Sequence, residues 1–190
     1  MIRIALVGSI GSGKTFISNL FGYPVFNADE SVSKIYSTNK KIFYKLKKKL
    51  PKFFTEPPVK KKELIKTILE NKNSLNIISK IVHPEVRKDL QKFMKKHNKK
   101  KAIVLDIPLL LENKLNKKKD VIIFIKSPNK EVLKRLKKRK NFNNLIFQKL
   151  KKIQLPLDIK KRHSHYVIKN NFKKDFVRKN VKDILNKILS

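Results

Sequence analysis

The chain has 190 residues, 40% of them apolar, enough for one globular domain with a real core and too many for a disordered segment. Cysteine is absent, which excludes disulfides, thiolate metal sites and thiol catalysis, and no apolar run approaches the eighteen or so residues of a membrane helix. The formal charge of +35 favours anionic ligands such as nucleotides.

Residues 2–7 form an apolar run with one charge, the pattern of a strand buried on both faces. They lack the parts of a signal peptide, so a cytoplasmic location is expected. Residues 14–21 read as a helix stopped by Gly22 and Pro24. Residues 25–27 form a short strand, followed by helices over 31–36 and 40–50 and a loop at Pro51, Pro57 and Pro58. From 60 to 96 the pattern is helical, and Pro84 predicts two helices meeting after His83. Residues 102–105 make a buried strand ending in Asp106, and 121–125 make another. Helices are predicted over 129–140 and 143–153, and a last strand over 166–168. The terminal helix carries Val177, Val181, Ile184, Leu185 and Ile188 on one stripe. Strands alternating with helices imply an α/β fold, a parallel sheet with helices on both faces. The stretch from 30 to 100 has no strand signal and reads as an inserted helical subdomain.

The basic runs at 47–49, 60–62, 99–101, 117–119 and 137–140 are scattered and lack interleaved aromatics. They read as decoration of solvated faces, so nucleic acid is not the expected partner. His97, His163 and His165 show no metal-ligand spacing and read as surface residues.

Gly8-Ser9-Ile10-Gly11-Ser12-Gly13-Lys14-Thr15 matches the Walker A pattern in full. Its four fixed positions coincide by chance about once in 30,000 sites. Here it also lies between a buried strand and a helix, as its chemistry requires. Glycines let backbone N–H groups turn inward around phosphate oxygens, and the helix N-terminus adds partial positive charge. Lys14 is placed to reach the β- and γ-phosphates, and Thr15 to put its hydroxyl on Mg²⁺.

Ligands gather at the carboxyl ends of parallel strands. Asp29 follows the second strand, where a carboxylate can accept a substrate hydroxyl's proton or simply cap the next helix. Asp106 reads as a Walker B carboxylate for Mg²⁺ or as an ordinary strand-end Asp. Arg135 and Arg139, four apart on a predicted helix, suit a lid that closes on a triphosphate, although that helix is basic all round. His83 suits a helix end, and Arg87 can grip a substrate phosphate.

Together these motifs resemble the dephospho-coenzyme A kinase family. The likeness runs through Gly8 to Thr15, Asn27-Ala28-Asp29, His83-Pro84-Glu85-Val86-Arg87, Asp106-Ile107-Pro108-Leu109-Leu110-Leu111-Glu112, and Gln154-Leu155-Pro156 leading to Tyr166-Val167-Ile168-Lys169-Asn170. The resemblance implies a three-layer α/β/α P-loop NTPase fold. Its expected parts are a nucleotide-binding core (1–29, 101–130 and 164–190), an inserted coenzyme-binding subdomain (about 30–100) and a helical lid (about 131–163). It implies transfer of the γ-phosphate of ATP, with Mg²⁺, to the ribose 3′-hydroxyl of dephospho-CoA. On the family pattern Asp29 is the base and the ATP loop is Gly11, Ser12, Gly13, Lys14, Thr15 and Phe16. Pro108, Leu109 and Glu112 line the acceptor site beside His83 and Arg87, Arg135 and Arg139 belong to the lid, and Asn170 lies near the adenine. Three departures stand out: Asn27 in place of an Asp, Ser9 in place of a Gly, and Ser164-His165 in place of Ala-Asp. The rival readings are a nucleoside monophosphate kinase, differing in its acceptor pocket, and a P-loop ATPase that binds nucleic acid.

Overall fold

The computed structural model describes residues 1–139 and 142–190. Two compact units divide the chain: Met1–Asn27, His97–Asn143 and Lys149–Ser190 form one, Ala28–Lys96 and Asn144–Gln148 the other. The segment expected as a lid, 131–163, is shared between them at 144–148.

The first unit is built on five parallel strands: β1 (Ile2–Gly8), β2 (Val25–Asn27), β3 (Ala102–Asp106), β4 (Asp120–Lys126) and β5 (Tyr166–Lys169). Their order is β2-β3-β1-β4-β5. β1 lies at the centre and is buried from Ile4 to Val7. Its lone charge, Arg3, pairs with buried Asp120 of β4, Nε to Oδ1 at 3.0 Å, and Nη2 donates to Oδ2 at 3.1 Å. The Nε contact is an ion pair without hydrogen-bond alignment. On one face Ile4, Leu6, Val104, Ile123 and Ile168 pack against Ile17 and Phe21, and against Val177 and Val181. The first pair belongs to helix α1 (Lys14–Leu20) and its end, the second to the last helix, Lys174–Leu189. The expected terminal stripe is therefore the face that meets the sheet. Alternation turns Ala5, Ile103, Leu105, Ile122 and Phe124, all buried, to the opposite face.

The second unit is helical: α2 (Ala28–Thr38), α3 (Lys40–Lys49), α4 (Lys61–Glu70) and α5 (Ser74–Lys96). Its core joins Ile35, Ile42, Phe43, Leu46, Phe54, Ile78 and Val82. Asn39 caps α3 by accepting the Ile42 N–H at 3.1 Å. Ser31 of α2 donates to Asp89 of α5 at 2.8 Å.

Pro84 does not separate two helices, because α5 runs through it without interruption. The break falls at 71–73, where Asn71 accepts the Asn73 N–H at 2.9 Å with its side chain and the Ser74 hydroxyl at 2.7 Å with its carbonyl. An asparagine-centred turn ends a helix without strain, whereas Ile78 and Val82 before the proline and Val86 after it pack into one core and hold α5 together across it. α2 also begins earlier than predicted, at Ala28, so Asp29 lies in its first turn.

In the first unit, helix α6 (Asn129–Lys137) stops short of Arg139, which therefore does not share a helical face with Arg135. Lys134, Arg135, Lys137 and Lys138 crowd like charges within one turn, which opposes extension. Lys140, the predicted end, lies outside the described residues. After α7 (Asn144–Lys152) comes a helix that the sequence pattern did not predict, α8 (Leu157–Arg162), which packs on β1. At six residues it is too short to show periodicity. The terminal helix Lys174–Leu189 is α9. Among the described residues no helix is long and apolar enough to cross a membrane.

Candidate active site

β1 runs into the glycine loop and the loop into α1, so sequence-local chemistry places the loop at the carboxyl end of the central strand. Gly13 is the residue before the helix, at φ 89°, and a Cβ there would meet Asn170 Nδ2 at 2.5 Å. Gly11, at φ 80°, would press its Cβ on Leu136 Cγ at 2.8 Å. No other residue type satisfies both the backbone and the space at these positions. Ser9 has no positive φ, so a side chain is tolerated where the family pattern has glycine.

The loop is pinned from the neighbouring strand ends. The Ser12 carbonyl accepts Ser127 Oγ at 2.9 Å and Asn170 Nδ2 at 2.7 Å. Ser127 follows β4 and Asn170 follows β5, and Asn170 also donates its N–H to Lys126 O at 2.8 Å. The fully buried Ser12 hydroxyl has no hydrogen-bond partner among the described residues. An orphaned hydroxyl under a glycine cradle fits a ligand rich in acceptor oxygens. Lys14 folds over the loop, its ammonium donating to Ser9 O at 2.8 Å.

Thr15 and Asp106 are brought together: the threonine hydroxyl donates to the buried aspartate's carboxylate at 2.6 Å. Asp106 ends β3, in register with Asn27 of β2. The strand beside β1 on this side is therefore β3, and β2 is one place further out. Two adjacent oxygen donors of this kind suit a hard cation such as Mg²⁺.

The loop after β3 is unusual. Leu109 has φ 58°, a left-handed backbone that leucine rarely adopts, between half-buried Pro108 and buried Leu110. Glu112 forms an ion pair with Lys160 at 2.7 Å and accepts the Leu155 N–H at 3.0 Å. Lys160 is 2% exposed. Neither Lys160 nor Ser127 was singled out in the sequence. Lys160 is one of 49 lysines and arginines, and only its burial distinguishes it.

Arg135 is exposed on α6, its guanidinium carbon 4.2 Å from the centre of the Phe172 ring. In the helical unit, His83 and Arg87 lie one turn apart within α5, so His83 is not a helix end. Burial first, and the Arg87 charge second, push the half-buried His83 below its ordinary pKa. His165 is exposed as expected, yet its Nδ1 accepts the Ile122 N–H at 3.0 Å. An acceptor thus stands where the family pattern has a carboxylate.

A central parallel strand, a glycine loop on a helix N-terminus and a threonine joined to a strand-end aspartate define a P-loop nucleotide-binding protein. The family model described as dephospho-CoA kinase matches residues 2–175, and the chain belongs to that family, whose members move phosphate from ATP to dephospho-CoA. A dephospho-CoA kinase of Wolbachia pipientis wMel is 31% identical over 190 residues, covering 97% of each chain. A solved protein from Thermus thermophilus shares the fold with a TM-score of 0.78 at 24% identity, over 100% of this chain and 98% of its own. The solved dephospho-CoA kinase from Campylobacter jejuni gives 0.63 at 21% identity, over 98% and 96%. Family membership favours dephospho-CoA over a nucleoside monophosphate as the acceptor.

Proposed function

We propose that, in the cytoplasm, this kinase phosphorylates the ribose 3′-hydroxyl of dephospho-CoA with Mg²⁺-dependent use of ATP, completing coenzyme A. The observation that carries the reading is the Thr15–Asp106 pair beside a loop whose Ser12 hydroxyl is buried without a partner. Gly11 to Phe16 hold the phosphates of ATP, with Asn170 supporting the loop beside the nucleotide. Thr15 and Asp106 hold the metal, which neutralises phosphate charge when bound.

Asp29 receives the 3′-hydroxyl proton. The freed oxygen bonds to the γ-phosphorus as the bond from that phosphorus to the β,γ-bridging oxygen breaks and ADP departs. Asp29 is exposed, two residues along the chain from Asn27, whose register partner is Asp106. Lys14, Arg135 and Arg139 offset the transferring charge, with 131–163 as the lid. His83 and Arg87 of the helical unit bind the acceptor's own phosphates. Pro108 and Leu109 line the acceptor site, on a loop held by Glu112.

Asp29→Asn tests the mechanism. ATP affinity stays within a few-fold while phosphoryl transfer falls about 10²–10⁴-fold. Unchanged kcat would reduce Asp29 to a helix-terminus charge. Phosphorus NMR of the wild-type product shows a 3′-phosphate, and turnover of AMP, CMP or UMP with none of dephospho-CoA would end the reading.

A further inference from the structure

We propose that Phe172 is a positioning residue that holds the Arg135 guanidinium over the phosphate loop for phosphoryl transfer. The inference rests on the role given to Arg135 above. Both the backbone and the ring of Phe172 point to it. Phe172 has φ 63°, which an aromatic residue adopts only when its surroundings impose it. The turn is imposed by Asn170, whose Oδ1 accepts the Phe172 N–H at 2.9 Å while its Nδ2 grips Ser12. Glycine would make the same turn without strain, so the strain sustains the ring.

The ring lies between the phosphate loop and Arg135. Its Cε1 lies 3.8 Å from the place a Gly13 Cβ would take, and the guanidinium carbon of Arg135 stacks over it at 4.2 Å. Leu136, next to Arg135, packs over Gly11 and fixes this end of α6 above the loop. Helix packing thus sets where Arg135 starts, and the ring selects one direction for a side chain with many rotamers. An arginine already aimed at the phosphates loses less freedom when it engages them.

The test is a cycle of Phe172→Gly, Arg135→Ala and the double variant, read as kcat/KM for ATP with dephospho-CoA. Phe172→Gly is expected to keep its Tm within about 3 °C, because strain relief offsets the lost ring, and to lose about two- to fivefold in kcat/KM. The double variant is expected to be no slower than Arg135→Ala. Phe172→Trp, which supplies the chain's one tryptophan, should keep the wild-type rate, and its emission should shift when Arg135→Ala is added. Wild-type kcat/KM in Phe172→Gly beside a slow Arg135→Ala, or losses that multiply, overturns the inference alone. A wild-type rate in Arg135→Ala overturns the role of Arg135 and the inference with it. If Phe172→Gly lowers Tm further, the tryptophan variant decides: emission indifferent to Arg135 overturns the contact.

Discussion

The Thr15 hydroxyl donates to the Asp106 carboxylate at 2.6 Å across 91 residues of sequence, joining the head of α1 to the end of β3. β3 pairs with β1 in parallel register, Ala5 with Leu105, so Asp106 follows at the same carboxyl end of the sheet, two residues short of the level at which Gly8 opens the loop. The two oxygens of the proposed cation site are thus set by sheet register.

Asp106→Asn keeps the shape and an acceptor for Thr15 but removes the charge. The rate is expected to fall about 10–100-fold, with a higher Mg²⁺ concentration needed for half-maximal activity. Rates titrated against Mg²⁺ test this. An unchanged Mg²⁺ midpoint would leave Asp106 a strand-end residue.

Lys160→Met leaves the nearly buried Glu112 carboxylate with the Leu155 N–H but no counter-charge, and is expected to cost up to about 3–5 kcal/mol. Adding Glu112→Leu should restore most of that, because an apolar pair removes the uncompensated charge. Urea midpoints of the three variants decide. A single variant that loses little would show that Leu155 and water suffice for Glu112.

His83 has its folded pKa held below the ordinary 6.5 by burial and by Arg87. As pH falls through 6.5 the unfolded chain takes up a proton that the folded chain refuses, so stability drops until the folded group also titrates. Tm measured from pH 7.5 to 5 is expected to fall less steeply in His83→Gln. Identical slopes would exclude this group. At the alkaline end, burial pushes Tyr36 from 10.0 to about 12, so stability contributed there is lost as pH rises above 10.

Pro84→Ala restores an N–H to the interior of α5 and is expected to stabilise the protein by roughly 1–3 kcal/mol. Chemical denaturation measures it. A destabilised variant would show that the proline's shape is required by the packing of Ile78 and Val82.

The glycine loop and the five strands were legible because each is written in contiguous residues: an apolar run, a turn only glycine can make, a helix start. Asp106 was legible as a candidate because it ends such a run. The break at Asn71 was not, since a proline is the louder signal and asparagine turns look like ordinary surface. α8 was missed because six residues hold less than two helical turns.

By itself the sequence determined the strand–loop–helix that cradles phosphate and the motif set that marks the family, since both depend on near neighbours. Tertiary structure alone decided which of many like side chains meet: Lys160 with Glu112, Ser127 and Asn170 with Ser12, Phe172 with Arg135. Those choices follow from the order β2-β3-β1-β4-β5, which brings residues up to 158 apart to the carboxyl end of the sheet. Strand order is set by how helices cover both faces, and no local pattern of charge or hydropathy encodes it.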